Sequence, residues 1–580
     1  MKSFIFNDFC RLEGRTGVAL ELVEIEQANC LSLQAATNEY VSFQFAVQGV
    51  EKVSDIRLMY NFGGGLEAEV FYQWFHQVGD KLVPDLLVPW GQACNLDEVV
   101  SKHYQSDYAV FWVDIFVPKG TAAGTYTSTL DVELGGETVS HKIDVLVHGV
   151  ELTDENLIIA DMNSYADTVT KNFPHLEENA RRFEDGSYFE AESWIYKVFH
   201  EHRGVFHHLP YGHGGNNIHT FAPELSGEGK NIYVSDWTVY DAHFGPYFDG
   251  SAFNGTKRGE IPVPFSYLPF NFNWPSSFEK WGTEGYRIEN RRIFLDFIRH
   301  FEEKGWTKTV FEIFYNHKKR YRFYPFDGDE TKHEPDEEII YKYDEIFGDL
   351  LEQSHVQTLF RTDSSWSYGV HYNSDIAKII RMWVVAGGVL TLYPESFDVM
   401  KNLGNHLWMY GGLPTLDESL LKLYEWPLRC LQNNIDGFLY WNTVGIGLDF
   451  LVCPEAGGSM ALFYPGHPFG IEGVLPSVRL KYLRNAMQVV DMVKMYEGTW
   501  TFHKMRDEID KLYGVQRKEW HDETPELMLN TPPSELSNAM IDASPRNAPS
   551  RNATADMPLM VKEQILKMAA GYTGASSPWV

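Results

Sequence analysis

The amino-terminal part of the chain carries short apolar runs of the kind that form β-strands. YVSFQFAVQGV (40–50), YAVFWVDIFVPKGTAAGTYTSTLDVEL (108–134) and HKIDVLVHGVEL (141–152) are rich in β-branched and aromatic residues, and turn residues separate the runs. Short strands punctuated in this way are typical of two packed antiparallel sheets. We therefore predict an antiparallel β-sandwich over residues 1–153.

After this region, strand-like runs alternate with longer helical patterns. YRIENRRIFLDFIRHFEEKG (286–305) places apolar residues three or four apart and ends on a glycine, as a capped amphipathic helix does. Eight strands alternating with helices predict a (β/α)8 TIM barrel over residues 154–500. The candidate strands are residues 157–165, 204–211, 262–272, 309–316, 356–363, 382–393, 406–412 and 436–442.

Residues 501–580 lose this regularity. The stretch 530–558 is rich in Pro, Ser, Ala and Asn, so we predict a C-terminal extended or helical tail. Such a tail would lie over the body of the protein or over a neighbouring subunit, and the second arrangement implies a homo-oligomer.

Composition narrows the choice of partner. The formal net charge of −31 argues against nucleic acid and against an anionic membrane as partners. The start of the chain has no uninterrupted apolar stretch, and no apolar run reaches about 20 residues, so we expect a cytoplasmic protein. Five scattered cysteines predict no disulfide framework, and the histidine runs lack the HExxH spacing. We therefore expect neither a metal nor another cofactor.

The candidate site residues follow from the barrel, because TIM-barrel active sites lie at the C-terminal ends of the strands. One polar residue at a strand end is ordinary loop chemistry. Many together, in a chain that is 15% aromatic, favour a polar cup with aromatic walls for a small carbohydrate. The predicted substrate-binding residues are Asn163, Tyr165, His208, Tyr211, Asn316, Lys318, Arg361, Trp366, Tyr410, Trp441 and Asn442.

An acidic stretch, PFDGDETKHEPDEE (325–338), follows the fourth candidate strand. Its last acids stand behind Pro335, which is a common way to start a helix. A calcium loop is a second interpretation, but Lys332 occupies the position at which an EF-hand requires glycine. The remaining acids, Asp329 and Glu330, are candidates for catalysis.

Adjacent carboxyls are unusual for a glycosidase. Acid and nucleophile ordinarily come from separate elements, about 5 Å apart in retaining enzymes, whereas neighbours on an extended chain point to opposite sides. An adjacent pair suits substrate-assisted hydrolysis, in which the 2-acetamido oxygen of the sugar is the nucleophile. One carboxyl then holds the acetamido N–H and the other is the acid, whose pKa is raised by its charged neighbour.

Several segments resemble glycoside hydrolase family 123 and its relatives with a DUF4091-type catalytic barrel. VDIFVPKGTAAGTYTSTLDVEL and DVLVHGVEL resemble the sandwich of that family, and MNSYADTV with HEHRGVFHHLPYGHGG resembles its first two barrel strands. HFGPYFDGSAF with PVPFSYLPFNFNWP resembles the third strand. LRCLQNNIDGFLYWN and LFYPGHPFGIEGVLPSVRLKYLRNAMQVVDM resemble the last strand and the closing helix. Together these segments span most of residues 40–495.

The resemblance implies an exo-acting, retaining β-N-acetylgalactosaminidase that uses substrate assistance on terminal β-linked N-acetylgalactosamine. By this resemblance Asp329 orients the acetamido group and Glu330 is the acid/base. Thr331 stands where the family usually has proline, and HKKRYRFYPFDG separates the pair from its strand. Two alternatives stay open: a barrel glycosidase for another sugar, with or without an acetamido group, and a non-catalytic glycan-binding protein.

Overall fold

The computed structural model describes residues 2–21, 24–165, 173, 187–209, 222–329, 334–351, 354–364, 374–386, 401–402, 406–441, 443–444, 450–452, 461–513 and 557–572. Its first part is built almost entirely from strands. In chain order these elements are β1 (Lys2–Asn7), β2 (Cys30–Thr37), β3 (Glu39–Gln48), β4 (Arg57–Phe62), β5 (Glu67–Val78), β6 (Lys81–Pro89), α1 (Leu96–His103), β7 (Tyr108–Val117), β8 (Gly124–Leu134) and β9 (Glu137–Glu151).

These strands form two sheets that share one core. The sheet orders are β1-β3-β7-β5-β6 and β2-β9-β8-β4. Phe45 and Phe111 stack at 4.5 Å between ring centroids, in a core that also takes Leu130 and Val145 from the second sheet. The predicted sandwich is therefore present.

One pairing corrects the expectation of a purely antiparallel sandwich, because β2 and β9 run parallel. The chain passes from β2 to β3, in the facing sheet, through Asn38, whose φ of 59° turns the backbone sharply. The partner of β2 is consequently a strand that is distant in sequence, and a long connection permits parallel pairing where a hairpin does not.

The second part alternates strands and helices. Its elements are β10 (Ile159–Tyr165), α2 (Ser187–Glu201), β11 (Val205–Leu209), β12 (Glu224–Ser226), β13 (Tyr233–Asp236), α3 (Thr238–Asp249), β14 (Phe265–Tyr267), α4 (Glu284–Lys304), β15 (Val310–Ile313), α5 (Glu334–Phe347), β16 (Thr358–Ser364), α6 (Ser374–Ile379), β17 (Met382–Ala386), β18 (His406–Gly411), α7 (Leu421–Asn433), β19 (Gly437–Tyr440), β20 (Phe463–Pro465), β21 (Val474–Pro476) and α8 (Val478–Lys494).

Eight of these strands form one parallel sheet, in the order β11-β10-β19-β18-β17-β16-β15-β14. The edge strands β11 and β14 lie next to each other, so the sheet is a nearly closed barrel. Seven of the eight lie within the predicted strand ranges and β16 ends one residue beyond its range, so the barrel-like architecture is confirmed. The domain boundaries at residues 153/154 and 500/501 stay predictions.

Helix α8 joins the barrel to the sandwich through buried ion pairs. Arg479 lies 3.0 Å from Asp85 of β6, while Lys481 and Arg484 lie 2.7 and 2.8 Å from Asp114 of β7. The side chains of all five residues are at most 4% exposed. Burial of a charge is costly unless it is paired, so these contacts fix how the sandwich sits on α8.

The described part of the C-terminal region is helical. Helix α9 (Trp500–Tyr513) is followed by α10 (Met557–Ala570), which packs on α8, α9, β2 and β9. Val561, Ile565 and Leu566 are buried, and Lys562 pairs with Glu39 of β3 at 2.7 Å. Helix α10 thus contacts both the sandwich and the barrel. Among the described helices, none is long and apolar enough to cross a membrane.

Candidate active site

Along four barrel strands, an apolar inward-facing residue is followed at the next inward position by an ionisable one. Ile159, Phe265, Val310 and Leu359 belong to an apolar cluster inside the barrel. Side chains two positions apart on a strand share a face, so the next inward positions are two residues further on. Those positions hold Asp161 on β10, Tyr267 on β14, Glu312 on β15 and Arg361 on β16.

Arg361 is the centre of this charged group. Its guanidinium lies 3.1 Å from Glu312, 2.9 Å from Asp363 and 3.7 Å from Asp161. It also donates to the hydroxyl of Tyr267. The side chain of Arg361 is fully buried, as are those of Asp161 and Glu312. The predicted substrate-binding Arg361 is therefore an organising cation that holds three carboxyl groups from three strands.

The surroundings fix the protonation of two members of the group. Burial alone would lower the pKa of Arg361, but Asp363, Tyr267 and Glu312 outweigh it and raise that pKa well above its usual range. Burial raises the pKa of Tyr267 well above its ordinary value. Arg361 therefore stays charged and Tyr267 keeps its proton at neutral pH.

The chain after β15 forms a loop that returns to the end of that strand. The backbone N–H groups of Gly328 and Asp329 both donate to the carbonyl of His317, at 2.8 and 3.1 Å. Asp327 accepts from the Lys319 N–H at 2.7 Å and closes the loop internally. Asp329 therefore lies beside His317, four residues beyond the C-terminal end of β15, even though eleven residues separate the two in sequence.

Asp329 is placed beside another predicted site residue. Its carboxylate lies 3.4 Å from the ammonium of Lys318, and both side chains are partly exposed. A Cβ at Gly328 would meet the Tyr315 carbonyl oxygen at 2.1 Å, so this close approach requires glycine. Asn316, which lies between Tyr315 and His317, is buried. The structure thus brings Asp329 and Lys318 together at the strand end.

Two aromatic candidates lie on other strands of the same barrel. Tyr410 is two residues after the inward-facing Trp408, and Trp441 is two residues after the inward-facing Leu439. Both rings are partly buried and pack against the inner apolar cluster. Because the strands are parallel, their C-terminal ends meet at one end of the barrel, where the cup was predicted.

The remaining predicted residues are only partly described or not described. The backbones of Asn163 and Tyr165 lie on β10 and that of His208 lies on β11, with Asn163 paired to His207 in register. The side chains of these three predicted residues lie outside the described part of the structure. Four predicted residues lie wholly outside the described residues: Tyr211, Glu330, Trp366 and Asn442.

Four residues of the charged group were not among the predicted site residues: Asp161, Tyr267, Glu312 and Asp363. The two deepest acids stand within apolar runs, in LIIADMNSY and TVFEIFYN. Acids are almost never fully buried unless they are paired, so an acid inside an apolar strand is the signal that would identify them. Within the described residues, no three His, Cys, Asp or Glu side chains are grouped so as to hold a metal ion.

The structure is similar to that of a family 123 glycoside hydrolase from Clostridium perfringens, studied for glycolipid glycan hydrolysis. The two share a TM-score of 0.64 and 12% sequence identity over 98% of each chain. A xylanase with an Ig-like domain from termite gut has a TM-score of 0.31 and 7% identity, over 80% of this chain and 100% of the xylanase. Parabacteroides merdae β-glucuronidase has a TM-score of 0.25 and 9% identity, over 76% of this chain and 47% of that enzyme.

These last two scores are too low to support an argument. No family model matches the sequence, and no curated protein matches it. The likeness to the first structure extends over nearly the full length of both chains, so it includes the sandwich as well as the barrel. The resemblance in the sequence is thereby confirmed at the level of the fold: the chain folds like a family 123 glycoside hydrolase.

Proposed function

We propose that this protein is an exo-acting, retaining glycoside hydrolase that releases terminal β-linked N-acetylgalactosamine. The main support is the position of Asp329, which backbone hydrogen bonds from Gly328 and Asp329 to His317 hold just beyond the C-terminal end of β15. Catalytic groups of TIM barrels occupy strand ends of this kind. The fold of the family 123 enzyme from Clostridium perfringens supports the same class of reaction.

In the proposed reaction the substrate supplies the nucleophile. Asp329 accepts a hydrogen bond from the acetamido N–H, which turns the carbonyl oxygen of that group toward C1. This oxygen forms a bond to C1 while the bond from C1 to the leaving oxygen breaks and Glu330 gives its proton to that oxygen. Water then attacks C1 and transfers a proton to Glu330, the acetamido bond to C1 breaks, and the configuration at C1 is retained.

The charged group around Arg361 fits this reaction as the base of the cup. It contains three carboxyl groups against one guanidinium, together with the hydroxyl of Tyr267. Positive charge develops on the sugar ring in the transition state. Fixed negative groups near that charge stabilise it without having to reorganise during the reaction. We infer that the deep acids Asp161 and Glu312 contribute to catalysis in this way.

Substitution of the two proposed catalytic residues tests their roles. Glu330→Gln should reduce turnover about 10²- to 10⁴-fold on substrates with poor leaving groups, and much less on nitrophenyl glycosides. Asp329→Asn should reduce turnover on both kinds of substrate, because it acts on the nucleophile rather than on the leaving group. Glu338→Gln, the same chemical change at an exposed position of α5, is the matched control. Wild-type rates in both test variants would contradict the assignment.

The choice of sugar needs a separate comparison. Nitrophenyl β-glycosides of N-acetylgalactosamine, N-acetylglucosamine and galactose should be tested side by side, and we expect the first to be the best substrate. A thiazoline analogue of N-acetylgalactosamine should inhibit competitively. Cleavage of the galactoside without inhibition by the thiazoline would indicate a different glycosidase. Binding without cleavage would indicate a glycan-binding protein.

A further inference from the structure

We propose that residues 318–324 (KKRYRFY), here called the basic rim segment, bind a negatively charged group on the leaving-group side of the substrate. The substrates would then be acidic glycans, in which a carboxylate or a sulfate is carried by the sugar that is released from the N-acetylgalactosamine. This inference deepens the proposed function and rests on it. It concerns residues outside the proposed catalytic pair.

The segment has an unusual charge for this chain. Four of its seven residues are Lys or Arg and none is acidic, whereas the whole chain has 80 acidic and 49 basic residues. Under physiological conditions salt screens exposed charges beyond about 8 Å. A local group of positive charges in a strongly negative molecule therefore attracts an anion only over short distances. The segment therefore selects among bound ligands rather than attracting them from afar.

A buried histidine fixes the shape of the segment. The Tyr324 N–H donates to Nε2 of His317 at 3.2 Å, and the ring of His317 lies 4.9 Å from that of Tyr324 and 6.2 Å from that of Phe323. His317 itself is fully buried. Its carbonyl also accepts the two backbone hydrogen bonds that position Asp329. One residue thus anchors both the basic rim segment and the proposed catalytic loop.

The charged side chains of the segment face solvent. Lys319, Arg320 and Arg322 are exposed, and Arg322 has a φ of 63°, which reverses the chain direction at the tip. Asp327 accepts a hydrogen bond from the Lys319 backbone N–H. Lys319 and Arg322 are consequently presented on an ordered turn, and an ordered turn loses little conformational entropy when it binds a ligand.

The position of the segment indicates which part of the substrate it meets. Lys318, its first residue, pairs with Asp329, so the segment begins at the proposed catalytic carboxylate and extends outward from it. In an exo-acting enzyme the terminal sugar fills the closed end of the site and the leaving group lies toward solvent. An anion held by Lys319 and Arg322 is therefore carried by the leaving group.

Phe323 adds an apolar surface beside these charges. Its side chain is 55% exposed, although the neighbouring His317 is buried. Sugar rings present apolar C–H faces that pack on aromatic rings, and the charged substituents of the sugar point away from those faces. The combination of Phe323 with Lys319 and Arg322 therefore fits a sugar that carries an acidic substituent better than it fits a free inorganic anion.

The test compares three substrates in which β-linked N-acetylgalactosamine is joined to a neutral sugar, a uronic acid or a sulfated sugar. For wild-type protein we expect kcat/KM to be higher for the two acidic substrates than for the neutral one. Lys319→Gln combined with Arg322→Gln should lower this acidic-to-neutral ratio about three- to tenfold, the range expected for two exposed charge pairs. Preference for only one acidic substrate would identify the carboxylate or the sulfate as the anion.

Two controls separate this effect from non-specific electrostatics. Lys52→Gln combined with Arg57→Gln makes the same change in net charge at exposed positions of the sandwich, and it should leave the ratio unchanged. In about 1 M salt the Debye length falls to about 3 Å, so the wild-type preference should largely disappear.

The inference and the proposed function fail in different ways. If the neutral substrate is cleaved and the ratio is the same in wild type and in the double variant, the inference is overturned and the proposed function stands. If none of the three substrates is cleaved, the proposed function fails, and the affinity of the intact acidic glycans, measured by calorimetry, decides the inference. Equal affinity for acidic and neutral glycans would overturn it, whereas tighter binding of acidic glycans that is lost in the double variant would support it.

Discussion

At the scale of single residues, Gly328 determines where Asp329 lies. A methyl group at this position would come within 2.1 Å of the Tyr315 carbonyl oxygen, so Gly328→Ala must move the loop away from β15. A displacement of about 1 Å at a catalytic group can cost about 100-fold in rate. We therefore expect Gly328→Ala to lower kcat/KM about ten- to a hundredfold, measured on the nitrophenyl N-acetylgalactosaminide, with little change in the thermal unfolding temperature.

Gly285→Ala is the matched control for this substitution. Gly285 lies in the first turn of α4, and a Cβ there makes only an ordinary contact, at 3.6 Å, with the Thr283 hydroxyl. Its activity should remain that of the wild type. If Gly328→Ala is equally active, the position of Asp329 is not critical for catalysis.

Arg361 is the second residue whose role can be tested directly. Arg361→Gln removes the cation that pairs with Asp161, Glu312 and Asp363. Removing one partner of a buried ion pair typically costs about 3–5 kcal/mol, because the remaining charge stays buried without compensation. We expect a loss of this size in the free energy of unfolding, measured by urea titration with tryptophan fluorescence.

Arg299→Gln provides the comparison for Arg361. Arg299 pairs with Asp296 one turn away on α4, and its side chain is 62% exposed. An exposed pair of this kind contributes about 0–1 kcal/mol. Similar urea midpoints for the two variants would show that the buried group around Arg361 is not important for stability.

These residues also show how far the site could be predicted from the sequence. The adjacency of Asp329 and Glu330 was visible in the sequence, and the structure places Asp329 at a strand end. The partners of Arg361 come from β10, β14, β15 and β16, and such a set depends on strand order and register. A single sequence contains no direct record of which strands become neighbours, so the charged group was not predicted as a unit.

At the scale of secondary-structure elements, the strands and helices that depend on the local hydrophobic pattern could be predicted from the sequence. The eight barrel strands and helix α4 fall on their predicted segments, and Gly305 caps α4 with a φ of 74°, as expected. The parallel pairing of β2 with β9 was not predicted, because it depends on a crossing between sheets rather than on alternation within a strand.

Helix α10 packs against the rest of the protein through an apolar face that can be tested by substitution. Ile565 is 1% exposed and lies against the interior that α10 shares with α8 and α9. Ile565→Ala should destabilise the docked helix by about 2–5 kcal/mol, as large-to-small substitutions in a packed core do. We expect faster release of a C-terminal fragment containing α10 under limited proteolysis, measured by mass spectrometry.

The control for this experiment is on the same helix. Met560 is 43% exposed, so Met560→Ala removes a side chain of similar size without opening the core. Its proteolysis rate should match that of the wild type. Equal rates for Ile565→Ala and Met560→Ala would mean that α10 is not held by this apolar face.

At the scale of the whole molecule, charge is distributed unevenly between surface and interior. The chain carries a net charge of −31, yet the cations Arg479, Lys481 and Arg484 of α8 are buried against acids of the sandwich. The sandwich therefore interacts with the barrel through paired charges as well as through apolar contacts. Several buried histidines lie in the same parts of the molecule, and they make the stability of the protein depend on pH.

Burial lowers the pKa of three of these histidines, to about 4 for His76, about 4 for His141 and about 3 for His200. All three are therefore neutral at physiological pH. Because the folded pKa lies below the ordinary value of about 6.5, the unfolded chain binds more protons as pH falls. Stability that is fully present above about pH 6.5 is then lost progressively down to about pH 3 to 4. Asp8 opposes this loss. Burial raises its pKa to about 6, so between about pH 6 and 4 its carboxyl binds a proton in the folded protein but not in the unfolded chain, which adds stability as pH falls.

His200 isolates the contribution of one such residue. Its Nε2 lies 3.1 Å from the Gly259 carbonyl and its ring stacks on Phe253 at 3.9 Å, so the side chain has no room for a hydrated charge. A difference of one bound proton changes the free energy of unfolding by about 1.4 kcal/mol per pH unit. We expect the pH slope of stability between about pH 6 and 4 to be smaller by about this amount in His200→Gln, measured by urea unfolding at a series of pH values.

The slope, rather than the absolute stability, carries the information in this experiment. His200→Gln also changes packing, but a packing defect lowers stability equally at every pH and leaves the slope unaltered. His503→Gln, at an exposed position of α9, should retain the slope of the wild type. If His200→Gln retains that slope as well, His200 takes up a proton in the folded protein as readily as in the unfolded chain, and its burial does not govern the acid sensitivity of the fold.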